Sequence, residues 1–222
     1  MGDRLLSILF PKHCVLCGKV VEYDDLWCGK CECVPAYDET LPGLHVLSPY
    51  AYQGGVRNAI LHIKREPDKR TISFFADAMA AIVRCEFDSF CGWRIVPVPI
   101  HPEGLRDRGY NQAGLLADAL GERLELEVSH NHLDRRDSGV RQSSLDQKSR
   151  YRHAKQVYRL GGSDMPIASA CVFLVDDVLT TGATVSVCRD LLASAGVSRV
   201  VAVTAARTVD YSAAGPPEQP VH

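Results

Sequence analysis

The chain has 222 residues, with 25 Lys plus Arg against 27 Asp plus Glu and a net charge of −2. Its 46% hydrophobic and 23% charged side chains are those of an ordinary globular protein and exclude a disordered or membrane-embedded chain. The near-neutral balance excludes a surface that grips nucleic acid over its whole extent and leaves only a local basic patch for that purpose.

The chain opens MGDRLLSILFPKHC, in which the six-residue run Leu5–Phe10 follows an acidic Asp3. That run is too short for a signal peptide and has no small-residue cleavage site. No stretch approaches the roughly 20 apolar residues of a membrane span. A cytoplasmic protein without a membrane span is expected.

Cysteines come next. Five of the 9 lie between Cys14 and Cys33. An odd, clustered set fits metal binding in a reducing compartment better than a disulfide framework. Cys14 and Cys17 form one CxxC pair, Cys28 and Cys31 a second, with ten residues between them. Two such turns close a thiolate tetrahedron around Zn2+, and four protein ligands leave no position for substrate, so the predicted metal is structural. Cys33 competes for the fourth place, although the wider CxxC spacing favours Cys31. Residues 1–33 carry four basic and five acidic side chains, which does not attract phosphate, so the segment reads as a docking or folding element. Cys85, Cys91, Cys171 and Cys188 read as buried small hydrophobes.

After residues 1–38, a strand is predicted over Val46–Tyr52, a turn at Gly54-Gly55 and a short helix over Val56–Lys64, closed by Pro67. Residues 71–84 are helix-like and 93–99 strand-like. Ala113, Leu116, Ala117, Leu120 and Leu124 recur on one helical face. The segment 134–155 is polar and carries seven Lys or Arg against three Asp. Residues 171–175 form a continuous apolar strand. The helix that follows is predicted to bury Thr184, Cys188, Leu191, Leu192 and Ala195 and to end at Gly196. Another buried strand starts at Arg199, and the tail from residue 210 is Pro- and Gly-rich, as disordered tails are. Apolar strands alternating with amphipathic helices predict an α/β fold with a parallel sheet covered on both faces.

VFLVDDVLTTGAT, residues 172–184, carries the most chemistry. An apolar strand runs into Asp176 and Asp177, and a loop of small hydroxylated residues leads into a helix. Ligands of parallel α/β sheets sit beyond the carboxyl ends of the strands. Thr180, Thr181, Gly182, Ala183 and Thr184 offer N–H groups and hydroxyls to a phosphate at the positive helix end. Two acids beside such a cradle would repel a bare phosphate, but they suit a ligand that also presents a sugar diol. A phosphorylated pentose has both.

This stretch resembles the phosphoribosyl pyrophosphate (PRPP) motif of type I phosphoribosyltransferases. In chain order, the two CxxC pairs, Tyr52 and Gly54 with Arg57 and Lys64, PVPIH at 97–101, the run Arg108-Gly109-Tyr110-Asn111-Gln112 and VDDVLTTGAT resemble the ComF family over nearly the whole chain. That family joins a zinc-binding segment to a phosphoribosyltransferase domain and is associated with DNA uptake in competent bacteria. The resemblance implies a zinc ribbon over 1–38, a type I phosphoribosyltransferase-like domain over 39–209 and a flexible tail over 210–222. It implies that Asp176 and Asp177 hold the ribose hydroxyls as the catalytic acids and that residues 180–184 hold the 5′-phosphate. Arg106 and Arg108 would neutralise the pyrophosphate near Ile100 and His101, with Mg2+ bridging it through water and ligand oxygens. PRPP and a nitrogen acceptor are the implied partners, in nucleotide metabolism.

An alternative role as a PRPP sensor or interaction protein, with single-stranded DNA or a DNA-processing protein as partner, is carried by the basic segment 134–155. In that segment the family pattern of Gln, then Arg followed three residues later by Asn, is met by Gln142 and Arg150 but departs at His153. Tyr50 and Tyr52 read as one face of a strand rather than as base-stacking groups.

Overall fold

The computed structural model describes residues 12–22, 25–31, 33, 43–137, 147–162 and 167–209, without the side chains of 147–150. The expectations for Gln142, for the centre of the basic segment (138–146), for the Arg150 side chain and for the tail from 210 lie outside the described residues.

At the N-terminal end, β1 (Lys12–His13) pairs antiparallel with β2 (Val20–Val21). The central sheet comprises β3 (His45–Leu47), β4 (Tyr50–Ala51), β5 (Trp93–Pro97), β8 (Cys171–Leu179) and β9 (Arg199–Arg207). It runs β3-β9-β8-β5, with β4 also on β9, and every pair is parallel, as the sequence predicts. A second antiparallel ribbon joins β6 (Leu133–Arg135) to β7 (Tyr158–Leu160).

The helices are α1 (Gly54–Ile63), α2 (Lys69–Glu86), α3 (Pro102–Arg108), α4 (Gln112–Leu124), α5 (Gln147–Val157) and α6 (Ala183–Ser194). Caps fix where several begin. Asp68 accepts the Arg70 and Thr71 N–H groups at the head of α2, and Asn111 accepts from Ala113 N at the head of α4.

Period-two alternation along β8 divides the interior into two layers. Phe173 and Val175 face one core with Phe75, Met79, Leu116 and Leu120 of α2 and α4. Val172 and Leu174 face the other with Val157 and Tyr158, and with Cys188 and Leu192 of α6. Buried on both sides, these strands read as unbroken apolar runs.

Several local expectations change. The stretch 46–52 is two short strands, β3 and β4, because Ser48 and Pro49 interrupt the pairing and Pro49 has no N–H for the ladder. Gly54 and Gly55 open α1 rather than forming a separate turn. Helix α6 buries Val185, Val187, Cys188 and Leu192, whereas Thr184, Leu191 and Ala195 keep partial exposure. Its last turn does end before Gly196, which takes φ 87°, a backbone region that favours glycine. Of the four scattered cysteines only Cys188 is buried; Cys85, on the outer side of the last turn of α2, and Cys91, in the turn before β5, are exposed, and Cys171 is partly exposed.

Candidate functional site

Strand β8 does not stop before its two acids. It pairs with β9 through Asp176, opposite Thr204, and on to Leu179, opposite Arg207. The strand alternation therefore carries through the acids and sends them to opposite faces. Asp177, in phase with Phe173 and Val175, turns toward α1 and α4. Asp176, in phase with Val172 and Leu174, turns toward Tyr158 and Cys188, both of whose pKa values its charge helps to raise.

Asp177 is buried at 5% exposure and tightly held. Its Oδ2 lies 2.9 Å from Lys64 Nζ and accepts from Gln112 Nε2 at 3.2 Å. Its Oδ1 accepts the Val178 N–H at 2.7 Å. Burial acts to lower the Lys64 pKa, but the Asp177 charge and hydrogen bond outweigh it and hold the ammonium above its ordinary value. Asp176 differs. The residue keeps some exposed surface, and loss of water followed by the Asp177 charge pushes its pKa up to about 8. The Asp177 N–H donates to Asp176 Oδ1 at 2.8 Å.

The run 108–112 buttresses this arrangement residue by residue. Gly109, at φ 78°, ends α3. Tyr110 Oη donates to the Ile63 carbonyl at 2.7 Å, one residue before Lys64. Asn111 caps α4 and donates from Nδ2 to the Val98 carbonyl at 2.9 Å, at the end of β5. Gln112 donates to Asp177 and accepts from Arg108 Nη1 at 3.3 Å. Arg108 thus reaches the acids through Gln112. Arg106 does not join them: its side chain is 67% exposed and pairs with Asp137 at 3.7 Å. The same Asp137 meets His101 Nε2 at 3.4 Å, and His101 Nδ1 caps α3 by accepting from Glu103 N.

Beyond Leu179 the loop turns at Gly182, with φ 75°, which serves as the N-cap of α6. The first N–H groups of α6 follow, and the first turn of a helix leaves such groups without intrahelical acceptors. Thr180 is exposed, Thr181 and Thr184 are half-buried, and Gly182 and Ala183 are buried. An acidic, cation-balanced strand edge and a helix N-terminus therefore stand on either side of one loop. Lys64 and Gln112 were legible only as motif members. Nothing in their spacing pointed to direct contact with Asp177.

Tyr50, half-buried, stacks on Phe74 with ring centroids 5.5 Å apart and planes at 6°, so it packs against the first core. In the basic segment, helix α5 begins at Gln147, and His153 is buried at 7% exposure.

The N-terminal cysteines converge. Cys14–Cys31, Cys17–Cys28 and Cys28–Cys31 sulfurs are 3.7, 3.8 and 3.6 Å apart, and all four lie within 4.8 Å of one another. A Zn–S bond of about 2.3 Å implies a tetrahedral edge of about 3.8 Å, so the quartet fits a zinc ion. Gly18 and Gly29, with φ 73° and 67°, let the chain turn beside Cys17 and Cys28. Backbone N–H groups aimed at the sulfur outweigh burial at Cys14 and lower its pKa to about 6. Cys33 stands apart from the quartet, and burial raises it to about 11.

This segment packs on the rest of the chain. Cys14 and Leu16 belong to the first core, and Arg70 donates to the carbonyls of His13 at 2.9 Å and Asp25 at 2.5 Å. A Cβ on Gly55 would lie 2.9 Å from Leu16 Cβ, so α1 and the ribbon touch at a glycine.

No family model matches the chain. Among characterised proteins it is similar to competence protein F of Haemophilus influenzae, at 28% identity over 195 residues, 86% of this chain and 82% of that protein. It is also similar to the DNA utilization protein YhgH of Escherichia coli, at 32% identity over 116 residues, 52% of this chain and 50% of that one. Among solved structures, a hypoxanthine-guanine phosphoribosyltransferase of Bacillus anthracis matches with TM-score 0.42 and 14% identity, covering 63% of this chain and 73% of that one. A hypoxanthine phosphoribosyltransferase of Staphylococcus aureus matches with TM-score 0.38 and 19% identity, covering 63% and 67%. Among the described residues no helix is long and apolar enough to cross a membrane.

Proposed function

We propose, from the premise that this chain is a homologue of competence protein F and belongs with the ComF type, that it binds PRPP at the end of β8 and transfers its phosphoribosyl group to a nitrogen acceptor. The observation that carries this reading is the juxtaposition of an acidic strand edge, Asp176-Asp177, with the Thr180–Thr184 loop at the head of α6. Carboxylates accept hydrogen bonds from sugar hydroxyls, and helix N–H groups donate to phosphate oxygens.

In this reading Asp177, oriented by Lys64 and Gln112, and Asp176 hold the ribose 2′- and 3′-hydroxyls. Thr180, Thr181, Gly182, Ala183 and Thr184 hold the 5′-phosphate. Arg108, drawn toward the site by Gln112, meets the pyrophosphate, and Arg106 reaches it only by leaving Asp137. The oxygen donors suit a hard cation, so Mg2+, bound through water, carboxylate and ligand oxygens, would supply neutralisation of the pyrophosphate. As the C1–O bond to pyrophosphate breaks, its electron pair leaves with pyrophosphate. The acceptor nitrogen's lone pair forms the C1–N bond, and the proton lost from nitrogen passes to solvent. The chain contributes position and charge rather than a nucleophile.

The four-cysteine segment over 1–38 is, in this reading, a structural zinc ribbon docked on a phosphoribosyltransferase-like domain over 39–209. The names of the relatives, a competence protein and a DNA utilization protein, favour a DNA-related role, either through this chemistry or as a PRPP sensor with a DNA-processing partner. Calorimetric titration of the full chain with PRPP, with and without Mg2+, tests the site. Binding that is lost in Asp177→Asn, followed by pyrophosphate release with an acceptor base, is expected. No binding by the folded protein would overturn the reading.

A further inference from the structure

We propose that Lys64 is a specificity-determining residue, the built-in counter-charge that lets an acidic strand edge accept a multiply phosphorylated sugar, and that Tyr110 is its positioning residue. The inference rests on the PRPP reading of the site and adds to it the residue that sets how much ligand charge the site tolerates.

A buried carboxylate next to a phosphate cradle poses an electrostatic problem. Asp177 on its own would repel the phosphates that the neighbouring loop attracts, and burial strengthens the repulsion because little water screens it. The structure brings one cation directly onto this acid. Lys64 Nζ is 2.9 Å from Asp177 Oδ2, with the lysine side chain 28% exposed and the aspartate 8% exposed, so the ion pair is open to solvent on the lysine side. From there its charge also acts on Asp176. Gln112, the other side-chain partner of Asp177, is neutral and cannot do this work.

The pairing leaves the acid usable. A carboxylate has about four acceptor sites, and the Val178 N–H, Lys64 and Gln112 take three of them. A sugar hydroxyl can add to Asp177 without displacing the ammonium. Lys64 thereby neutralises the carboxylate from Oδ2, while Oδ1, which takes only the Val178 N–H, keeps an acceptor site.

Its placement is built. Lys64 is the residue that caps the C-terminal end of α1, and its own N–H donates to the Ile60 carbonyl at 3.2 Å. At that end Tyr110 Oη binds the Ile63 carbonyl at 2.7 Å. The phenol comes from the turn between α3 and α4, and Gln112 two residues later grips the same aspartate. One short segment therefore holds Asp177 from one side and the backbone beneath its counter-ion from the other.

The test compares two ligands that share the ribose and the 5′-phosphate and differ in the charge at C1: PRPP and ribose 5-phosphate. Calorimetric titration at fixed Mg2+ is made on the full wild-type chain, Lys64→Met, Lys64→Arg and Tyr110→Phe, each checked for folding by circular dichroism. Lys64→Met is expected to weaken PRPP by about tenfold or more and ribose 5-phosphate by only about threefold. Lys64→Arg should keep most of the PRPP affinity, and Tyr110→Phe should shift the ratio of the two affinities in the same direction as Lys64→Met by a smaller factor. A folded Lys64→Met that loses both ligands equally, or neither, overturns the proposal while leaving the PRPP reading intact. If Lys64→Met does not fold, Tyr110→Phe decides, and an unchanged ratio overturns it. A wild-type chain that binds neither ligand overturns both.

Discussion

Lys64 Nζ lies 2.9 Å from Asp177 Oδ2, across the gap between the end of α1 and the C-terminal end of strand β8. The contact joins a lysine near the start of the chain to an acid near its end, and it makes Asp177 unlike its neighbour Asp176. One acid is ion-paired on the face of α1 and α4. The other sits on the face of α6, with a raised pKa.

That difference predicts unequal variants. Asp177→Asn strips Lys64 of its partner in a partly buried setting and is expected to cost about 1–3 kcal/mol of folding stability. Asp176→Asn removes a carboxyl group whose charged form is disfavoured and should cost less, or stabilise at neutral pH. Urea unfolding of the two variants at pH 7 checks the order.

A pH dependence follows from Asp176. Its folded pKa of about 8 lies well above the 3.8 of an ordinary aspartate. Between those values the folded chain holds a proton that the unfolded chain has released, so this group's contribution is fully present below about pH 4 and is lost as pH rises toward 8. The groups that bear on it are Asp177, Lys64, Tyr158 and Cys188. The slope of stability against pH over this window should be shallower in Asp176→Asn than in the wild type.

The sulfur quartet predicts one zinc per chain. Cys14→Ser or Cys31→Ser should lose the metal, whereas Cys33→Ser should keep it, because Cys33 lies outside the quartet. Metal analysis after gel filtration separates these outcomes. A chelator should lower the melting temperature, because metal binding contributes directly to folding in such segments.

The contact between the ribbon and α1 gives a fourth test. In Gly55→Ala the new Cβ would meet Leu16 Cβ at 2.9 Å and the Leu16 carbonyl oxygen at 3.1 Å, and one of the two is backbone that yields poorly. A loss of about 1–3 kcal/mol is expected. Zinc release to a chelator should also be faster, because Leu16 lies within the first CxxC turn.

Much of this was legible before any coordinates. The largely apolar runs at 93–99 and from Arg199, with the continuous one at 171–175, pointed to buried strands, hence a parallel sheet with helices on each side. Two CxxC pairs at short spacing specified a metal-binding quartet, since local turn geometry alone brings two sulfurs together. The small-residue loop 180–184 was readable for the same local reason: Gly182 needs no distant partner to turn the chain.

Tertiary structure decided the rest. Whether β8 stopped at Val175 or ran on through the acids depended on its pairing with β9, and that pairing alone sends Asp176 and Asp177 to opposite faces. The choice of Cys31 over Cys33 depended on how the second turn folds back on Cys14. The contacts of Lys64, Tyr110 and Gln112 depended on where α1 and α4 cross the sheet. Helix periodicity names the buried face of a helix but not the strand it will cover, because that choice is made by packing between segments far apart in the chain.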